Sequence, residues 1–542
     1  MGRRTIILIV ATLLALHLAA LNDRWAVKRD SGLYLSLGRS LAEGRGMALA
    51  GRQVWGLPPA VPLMIAGCRL LVGSHYWLIN LVMSLFGCGV ALMTWLTVRH
   101  LSSDLPQRIR VGLAPAALLI VGFSARLFTE SHRILTDVPF TFFVLLGIYG
   151  FLRGRRGHGA WYLVGAVSLA AATYTRLPGL AFFGGLMAAT VVDFREKGYG
   201  RRLAAALMAA VPFVAAFLIW LLLLRPLSDL GTVDHLKTLN PGRWTQWVFL
   251  VDIGRSLARF PSAVCGSMVG QKLHGFDLAL TAIILVGLYA AWRHRQHVVL
   301  LPLVLYVGVL VARHPSSIAP RYFLPIMPIL AYSLLLGVGT LTAWLRPPPE
   351  PPDGAGETKV PPAKWPVTVV VVICVAISAP RIAREVYWMR HPDFYAVFEG
   401  GKWKPSLDVG EYLAGQGAPE TGEVLTPNSS IIHYLSRLPA RTRLQWKGTT
   451  CMHLHDLAPE EFAKAAAAGP YRFVVVPSDR GDWSGPARRC LEATGLFREV
   501  SKRFGPLVLY ERAGEAQNRR RSGRSAAGGP GGTWIHPKGS KA

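Results

Sequence analysis

The sequence predicts a polytopic α-helical membrane protein with a C-terminal α/β domain, and three observations predict it. Of 542 residues, 51% are hydrophobic and only 17% charged, whereas ordinary soluble domains carry about 25% charged residues. The apolar residues gather in runs near the roughly 20 residues that cross a bilayer, and Lys and Arg punctuate those runs. Past residue 380 the runs stop and the pattern becomes that of a mixed soluble domain. The first observation excludes a disordered chain and argues against a soluble enzyme. The second removes nucleic acid as the reason for a net charge of +28, the excess of 59 basic over 31 acidic residues. Six cysteines without zinc-finger spacing indicate neither a disulfide scaffold nor structural zinc.

Taken in order, the apolar run 5–21 follows Arg3 and Arg4 and reads as an uncleaved first span, because many such runs come after it. Further spans are expected at 76–98, 111–127, 138–152, 160–175, 179–193, 203–224, 276–292, 298–312, 320–345 and 366–380, about eleven in all. The run 57–72 is short and holds Pro58, Pro59 and Pro62, so it is expected to be an interfacial or re-entrant helix within an outer loop over 22–75. Basic residues are densest in alternate connections, at Arg99, Arg108 and Arg110, at Arg153, Arg155 and Arg156, and at Arg195, Lys197, Arg201 and Arg202. Positive loops stay in the cytoplasm, which puts the N-terminus inside and the C-terminal domain outside a cell (inner or plasma) membrane. Residues 346–366 form a proline-rich connector. The membrane domain thus covers 1–380, the outer α/β domain 381–515, with strands expected at 424–427, 473–477 and 507–511 and helices at 429–436, 459–468 and 485–494. The basic tail 516–542, rich in Gly, Ser and Ala, is expected to be disordered.

Charge is expensive near a bilayer, so charged clusters at the outer ends of spans are the first candidates for chemistry. Three stand on one side by span parity: Arg29-Asp30-Ser31-Gly32-Leu33-Tyr34, Glu130-Ser131-His132-Arg133-Ile134-Leu135-Thr136-Asp137, and Thr175-Arg176-Leu177-Pro178-Gly179.

Asp30-Ser31 with Tyr34, the stretch Leu37 to Gly46, Pro58 to Met64, Glu130, Thr136-Asp137-Val138-Pro139, Thr175 to Gly179 and Pro320-Arg321-Tyr322-Phe323-Leu324-Pro325 occur in an order that resembles the GT-C glycosyltransferases. The branch is similar to protein O-mannosyltransferases and aminoarabinose transferases, and the resemblance covers about 1–345. It implies a GT-C fold and inverting transfer of a sugar from a polyprenyl-phosphate carrier to an envelope lipid, glycan or protein on the outer face. Several relatives have Asp-Glu where this chain has Asp30-Ser31, and some have Lys before the Pro-Pro where this chain has Leu57.

A polyprenyl phosphate leaves readily if positive charge meets it, so such a transfer requires one carboxylate base and nearby cations. Asp30 is the expected base. Asp137 and Glu130 are candidates for orienting the acceptor or sharing its proton, and Arg133, Arg176, Arg321 and Lys272 for binding the donor phosphate. Each has a plainer alternative. Asp30 could pair with Lys28 or Arg29 in a solvated loop, Asp137 could cap its helix, Glu130 could pair with Arg126 or Arg133, and Arg176 and Arg321 could be interfacial anchors. No cofactor is assigned. Cys451, His453, His455 and Asp456 leave a divalent metal site open in the outer domain, against the alternative of a Cys451–Cys490 disulfide. The competing functions are a lipid-linked-sugar transporter or flippase and a catalytically inactive relative.

Overall fold

The computed structural model describes residues 3–513 except 50–51, 111, 198–199, 228–246, 272, 274, 314–317, 346–363, 402, 416–422, 427–433, 437–439, 442–443, 447–448, 452–457, 469–470, 478–480 and 501–503. It falls into two compact units, Met1–Gly401 and Lys402–Ala542. The expected proline-rich connector, apart from its last residues, and the basic tail lie outside the described residues.

In the first unit every expected span is helical. Among the described residues six helices are long and apolar enough to cross a membrane, and a bent pair makes up to seven. This is the pattern of a multi-span membrane protein. The others of the expected set are helical but shorter in their apolar part, as in Arg4–Ala19, Gly179–Asp193 and His297–Ala312. Span 111–127 differs from the expectation of one straight helix: Leu113–Gly122 and Ala125–Ser131 meet at 53°. Ser124 is the cause. Its backbone is extended at ψ 121° and its Oγ accepts from the Leu127 N–H, so it starts a new helix in mid-run. The bend carries Arg126 and Glu130 to one end of the unit.

Burial separates inner from outer helices. Of the Pro320–Leu345 window 83% is buried, against 22% of Leu203–Leu224, whose Met208, Val211, Leu222 and Leu223 are exposed as expected of side chains facing lipid. Phe276–Arg293 crosses Met327–Leu345 at glycine. A Cβ on Gly287 would run into the Ser333 carbonyl, and one on Gly337 into that of Ile283, the close approach that small residues allow between membrane helices. Gly287→Ala should therefore destabilise the unit by about 1–3 kcal/mol. Thermal unfolding in detergent checks this against Gly308→Ala, where a Cβ meets nothing within 4 Å.

The helix Ala60–Val72 is the expected interfacial one. Its 13 residues are too few to span, with Val61 and Ile65 buried and Leu63, Leu70 and Leu71 exposed. It packs on Arg29–Ala42 through Gly38, where a Cβ would strike the Ile65 side chain.

The second unit centres on strand Tyr471–Pro477. It pairs in parallel with Glu423–Leu425 and antiparallel with Leu507–Arg512; Ala440–Arg441 and Phe497–Glu499 form the edges of the five-stranded sheet. Apolar residues on successive positions, Phe473 to Val476, are all buried, which requires cover on both faces. Helices Pro459–Ala468 and Gly481–Ala493 pack with Leu425, Val474 and Val476, and Lys404–Gly415 contributes Val409 and Leu413 to a core with Phe473 and Val475. The expected strands and the helices at 459–468 and 485–494 are present; most of the helix expected at 429–436 lies outside the described residues. The first compact unit ends at Gly401. The last membrane helix runs on to Arg390, and the buried rings of Phe394 and Phe398 anchor the segment after it to the first unit.

Candidate active site

The loop after the first helix is held open at its base by polar bonds. Asp23 accepts from the N–H groups of Tyr76 (2.5 Å) and Trp77 (3.0 Å), satisfying orphan donors at the start of Trp77–Ser102. Asn80 donates to the carbonyls of Asn22 and Arg24, each at 2.9 Å. Residues Trp25 to Val27 are buried, and the helix Arg29–Ala42 begins with Asp30 in its first turn, where a carboxylate is favoured by the helix dipole.

Ser31 is the hub of that turn. Its Oγ accepts from Trp25 Nε1 (2.8 Å) and Lys28 N (2.9 Å) and donates to the Lys28 carbonyl (2.6 Å). The position where relatives carry a second carboxylate is thus fully buried and spent on local structure. Ser31→Ala should cost about 1–2 kcal/mol, read as a lower unfolding temperature.

Asp30 faces Arg321, with Arg321 Nη1 donating to Asp30 Oδ2 at 3.3 Å. Arg321 also donates through Nη2 to Tyr322 Oη at 2.6 Å. A second pair lies deeper: Arg176 Nη1 bonds Asp137 Oδ1, and the Arg176 guanidinium stands 5.1 Å from the Tyr322 ring and 5.9 Å from that of Phe140. Tyr322 therefore lies between the two arginines. Tyr34 bonds the Thr136 side chain, and burial, reinforced by the charge of Asp30, pushes its hydroxyl up to about 12, so it stays neutral at physiological pH and can only act as a hydrogen-bonding group. Exposure distinguishes the two ion pairs. The side chains of Asp30 and Arg321 are 48% and 34% exposed, those of Asp137 and Arg176 only 4% and 17%. The outer pair is open to solvent as it stands; the inner one is largely shut away from it.

Glu130 and Arg133 join a different, buried network. Glu130 Oε1 accepts from Arg133 Nη1 at 3.1 Å and lies 3.3 Å from Arg126 Nε, while Arg133 Nη2 and Lys28 both reach Glu399 Oε1. Burial, with the Arg133 charge beside it, pulls the Lys28 ammonium below its ordinary range despite Glu399. Lys272 lies outside the described residues. Sequence reasoning quoted Tyr34, Thr136 and Tyr322 without giving them roles, and passed over Glu399; the Arg-Tyr pair at 321–322 was the one available signal.

An apolar crevice lined by Ala170, Thr173, Tyr174, Phe213, Phe217 and Trp220 lies along the helix Ala160–Thr175, which ends at Arg176. Its wall is shaped by the π-helical stretch Ile219–Leu224. Tyr174 Oη donates to the Ala216 carbonyl at 2.7 Å, and Trp220 Nε1 to the Trp55 carbonyl of the first loop at 3.1 Å.

Residues 47–227 match the family of dolichyl-phosphate-mannose-protein mannosyltransferases. The fold is similar to that of ArnT from Cupriavidus metallidurans bound to undecaprenyl phosphate, with a TM-score of 0.55 at 15% identity over 94% of this chain and 98% of ArnT. The fold is that of the GT-C glycosyltransferases. A second structure, the archaeal oligosaccharyltransferase AglB from Archaeoglobus fulgidus in complex with an inhibitory peptide and a dolichol-phosphate, is similar at a TM-score of 0.51 and 12% identity, over 91% of this chain and 72% of AglB. No curated protein matches the chain by sequence. Of the candidate site residues, Glu130, Arg133, Asp137 and Arg176 fall inside the matched segment, and Asp30, Lys272 and Arg321 outside it.

In the second unit Cys490 is a free thiol, 3.9 Å from Glu460 Oε1, and the Cys451 side chain lies outside what is described. His453, His455 and Asp456 lie outside the described residues, and among the described residues no group of three or more His, Cys, Asp or Glu could hold a metal ion.

Proposed function

We propose that this protein transfers a sugar from a polyprenyl-phosphate carrier to an acceptor in the cell envelope, on the extracytoplasmic side and with inversion, using Asp30 as general base. The observation that carries the reading is the half-exposed Asp30 carboxylate 3.3 Å from an arginine. This puts a proton acceptor and a cation side by side at an open surface.

Asp30 takes the proton of the acceptor O–H or N–H as that atom forms its bond to the anomeric carbon. The bond from that carbon to the phosphate oxygen breaks, its electron pair leaves with the polyprenyl phosphate, and Arg321 offers the fork that fits two phosphate oxygens. Attack from the face opposite the phosphate inverts the centre. No carboxylic acid is needed on the leaving side, unlike the acid-and-base pair of most glycoside hydrolases. Asp137, paired through Oδ1 with Arg176, holds that arginine beside Tyr322. Span parity supports an inner N-terminus and an outer first loop. The family match favours this enzyme over a transporter.

The test is release of free polyprenyl phosphate when purified protein meets a panel of polyprenyl-phosphate sugars and envelope extract. Release is expected with at least one donor and names it. A folded protein that moves labelled lipid-linked sugar between leaflets but releases no carrier would overturn the reading in favour of a flippase.

A further inference from the structure

The segment after the last membrane helix folds back on the loop that presents Asp30. Arg390 Nε donates to the Ala19 carbonyl at 2.5 Å, Asn22 Nδ2 to that of Met389 at 3.3 Å, and Arg24 to that of His391. The Arg24 guanidinium lies 5.8 Å from the Phe394 ring, which stacks on Phe398 at 4.9 Å. The segment ends in Glu399, whose backbone sits at φ +50°. That left-handed conformation costs a residue with a side chain about 1–3 kcal/mol, and such costs concentrate where geometry matters to function.

The Glu399 carboxylate is 11% exposed, and one of its oxygens takes both Lys28 Nζ and Arg133 Nη2, the latter at 2.6 Å. Lys28 is two residues before Asp30, and Arg133 four before Asp137. A single carboxylate therefore ties together the two loops that supply the outer and inner ion pairs. Arg133, only 5% exposed, divides its two terminal nitrogens between Glu130 and Glu399. Take the Glu399 charge away, and the half-buried Lys28 and buried Arg133 face each other as like charges, with Glu130 left to offset them in part. Their repulsion acts directly on the first turn that aims Asp30.

We propose that Glu399 is a positioning residue that sets the placement of Asp30 through Lys28 and Arg133. The proposal rests on Asp30 being the base. Reaction geometry is sensitive on this scale, since a shift of about 1 Å costs about a hundredfold in rate.

The experiment uses the full-length protein and whichever undecaprenyl-phosphate sugar supports turnover by wild type. Glu399→Gln keeps shape and removes charge, and its turnover per folded molecule should fall roughly tenfold or more, with the donor KM changed by less than about twofold. Lys28→Met should do the same, and the double variant should be no worse than the poorer single one, because both act on one contact. Should Glu399→Gln fail to fold, Lys28→Met and Glu399→Asp carry the same comparison, with Asp expected to recover part of the rate. A lower unfolding temperature with wild-type turnover in the folded fraction, or additive effects in the double variant, would overturn the proposal. Those outcomes leave wild type active, whereas an inactive wild type sinks the enzyme reading itself.

Discussion

Asp30→Asn is expected to lower carrier release by about a thousandfold, in the middle of the range that positioned general bases contribute. The substitution keeps the size of the side chain and removes its ability to take a proton. Asp30 is 48% exposed, so no buried charge is stranded and the unfolding temperature should hold. Arg321 keeps its bond to Tyr322 Oη, so donor binding should persist. The donor KM is therefore expected near the wild-type value while kcat collapses, the signature of an interaction made in the transition state. A variant retaining a tenth or more of wild-type release would remove Asp30 from the base role, and Asp137 would be the next carboxylate to test.

Asp137→Ala should act mainly on stability. Its side chain is 4% exposed and bonded to an Arg176 that is itself largely buried. Removing one partner of such a pair leaves an uncompensated charge, at a cost of about 3–5 kcal/mol. Replacing both, as Asp137→Ala with Arg176→Met, should recover much of that loss, because an apolar pair no longer needs desolvated charges. Unfolding in detergent for wild type, both single variants and the double variant gives the coupling directly. If Asp137→Ala unfolds like wild type yet loses transfer, Asp137 works on the substrate and is not a brace.

The two results together separate roles that sequence alone left alike. Asp30, Asp137 and Glu130 were all carboxylates at outer span ends, and nothing local ranked them. Asp137 as a helix cap was a reasonable alternative, but the N-cap is Thr136 and the carboxylate turns to Arg176, 39 residues on. Glu130 does pair with Arg126 and Arg133, as its plainer alternative held, yet in a buried site, not at the surface. The break at Ser124 had a local signal, a good N-cap residue inside an apolar run, that the strength of hydropathy concealed.

Hydropathy by itself determined the class of this protein. Runs of apolar side chains have one economical environment, and their lengths and basic flanks specify helices across a bilayer whatever their neighbours are. The same local logic located the soluble unit and its central strand. What only the tertiary structure decided is partnership. Asp30 and Arg321 are 291 residues apart, and Glu399 meets a lysine 371 residues away. Ion pairing depends on distance through space, and every charged residue carries the same sequence signal whether its partner is beside it or absent. The residues that could do the chemistry were thus visible as types in the chain, and the fold chose among them by deciding which charges stay open to a substrate and which are used up in holding the others.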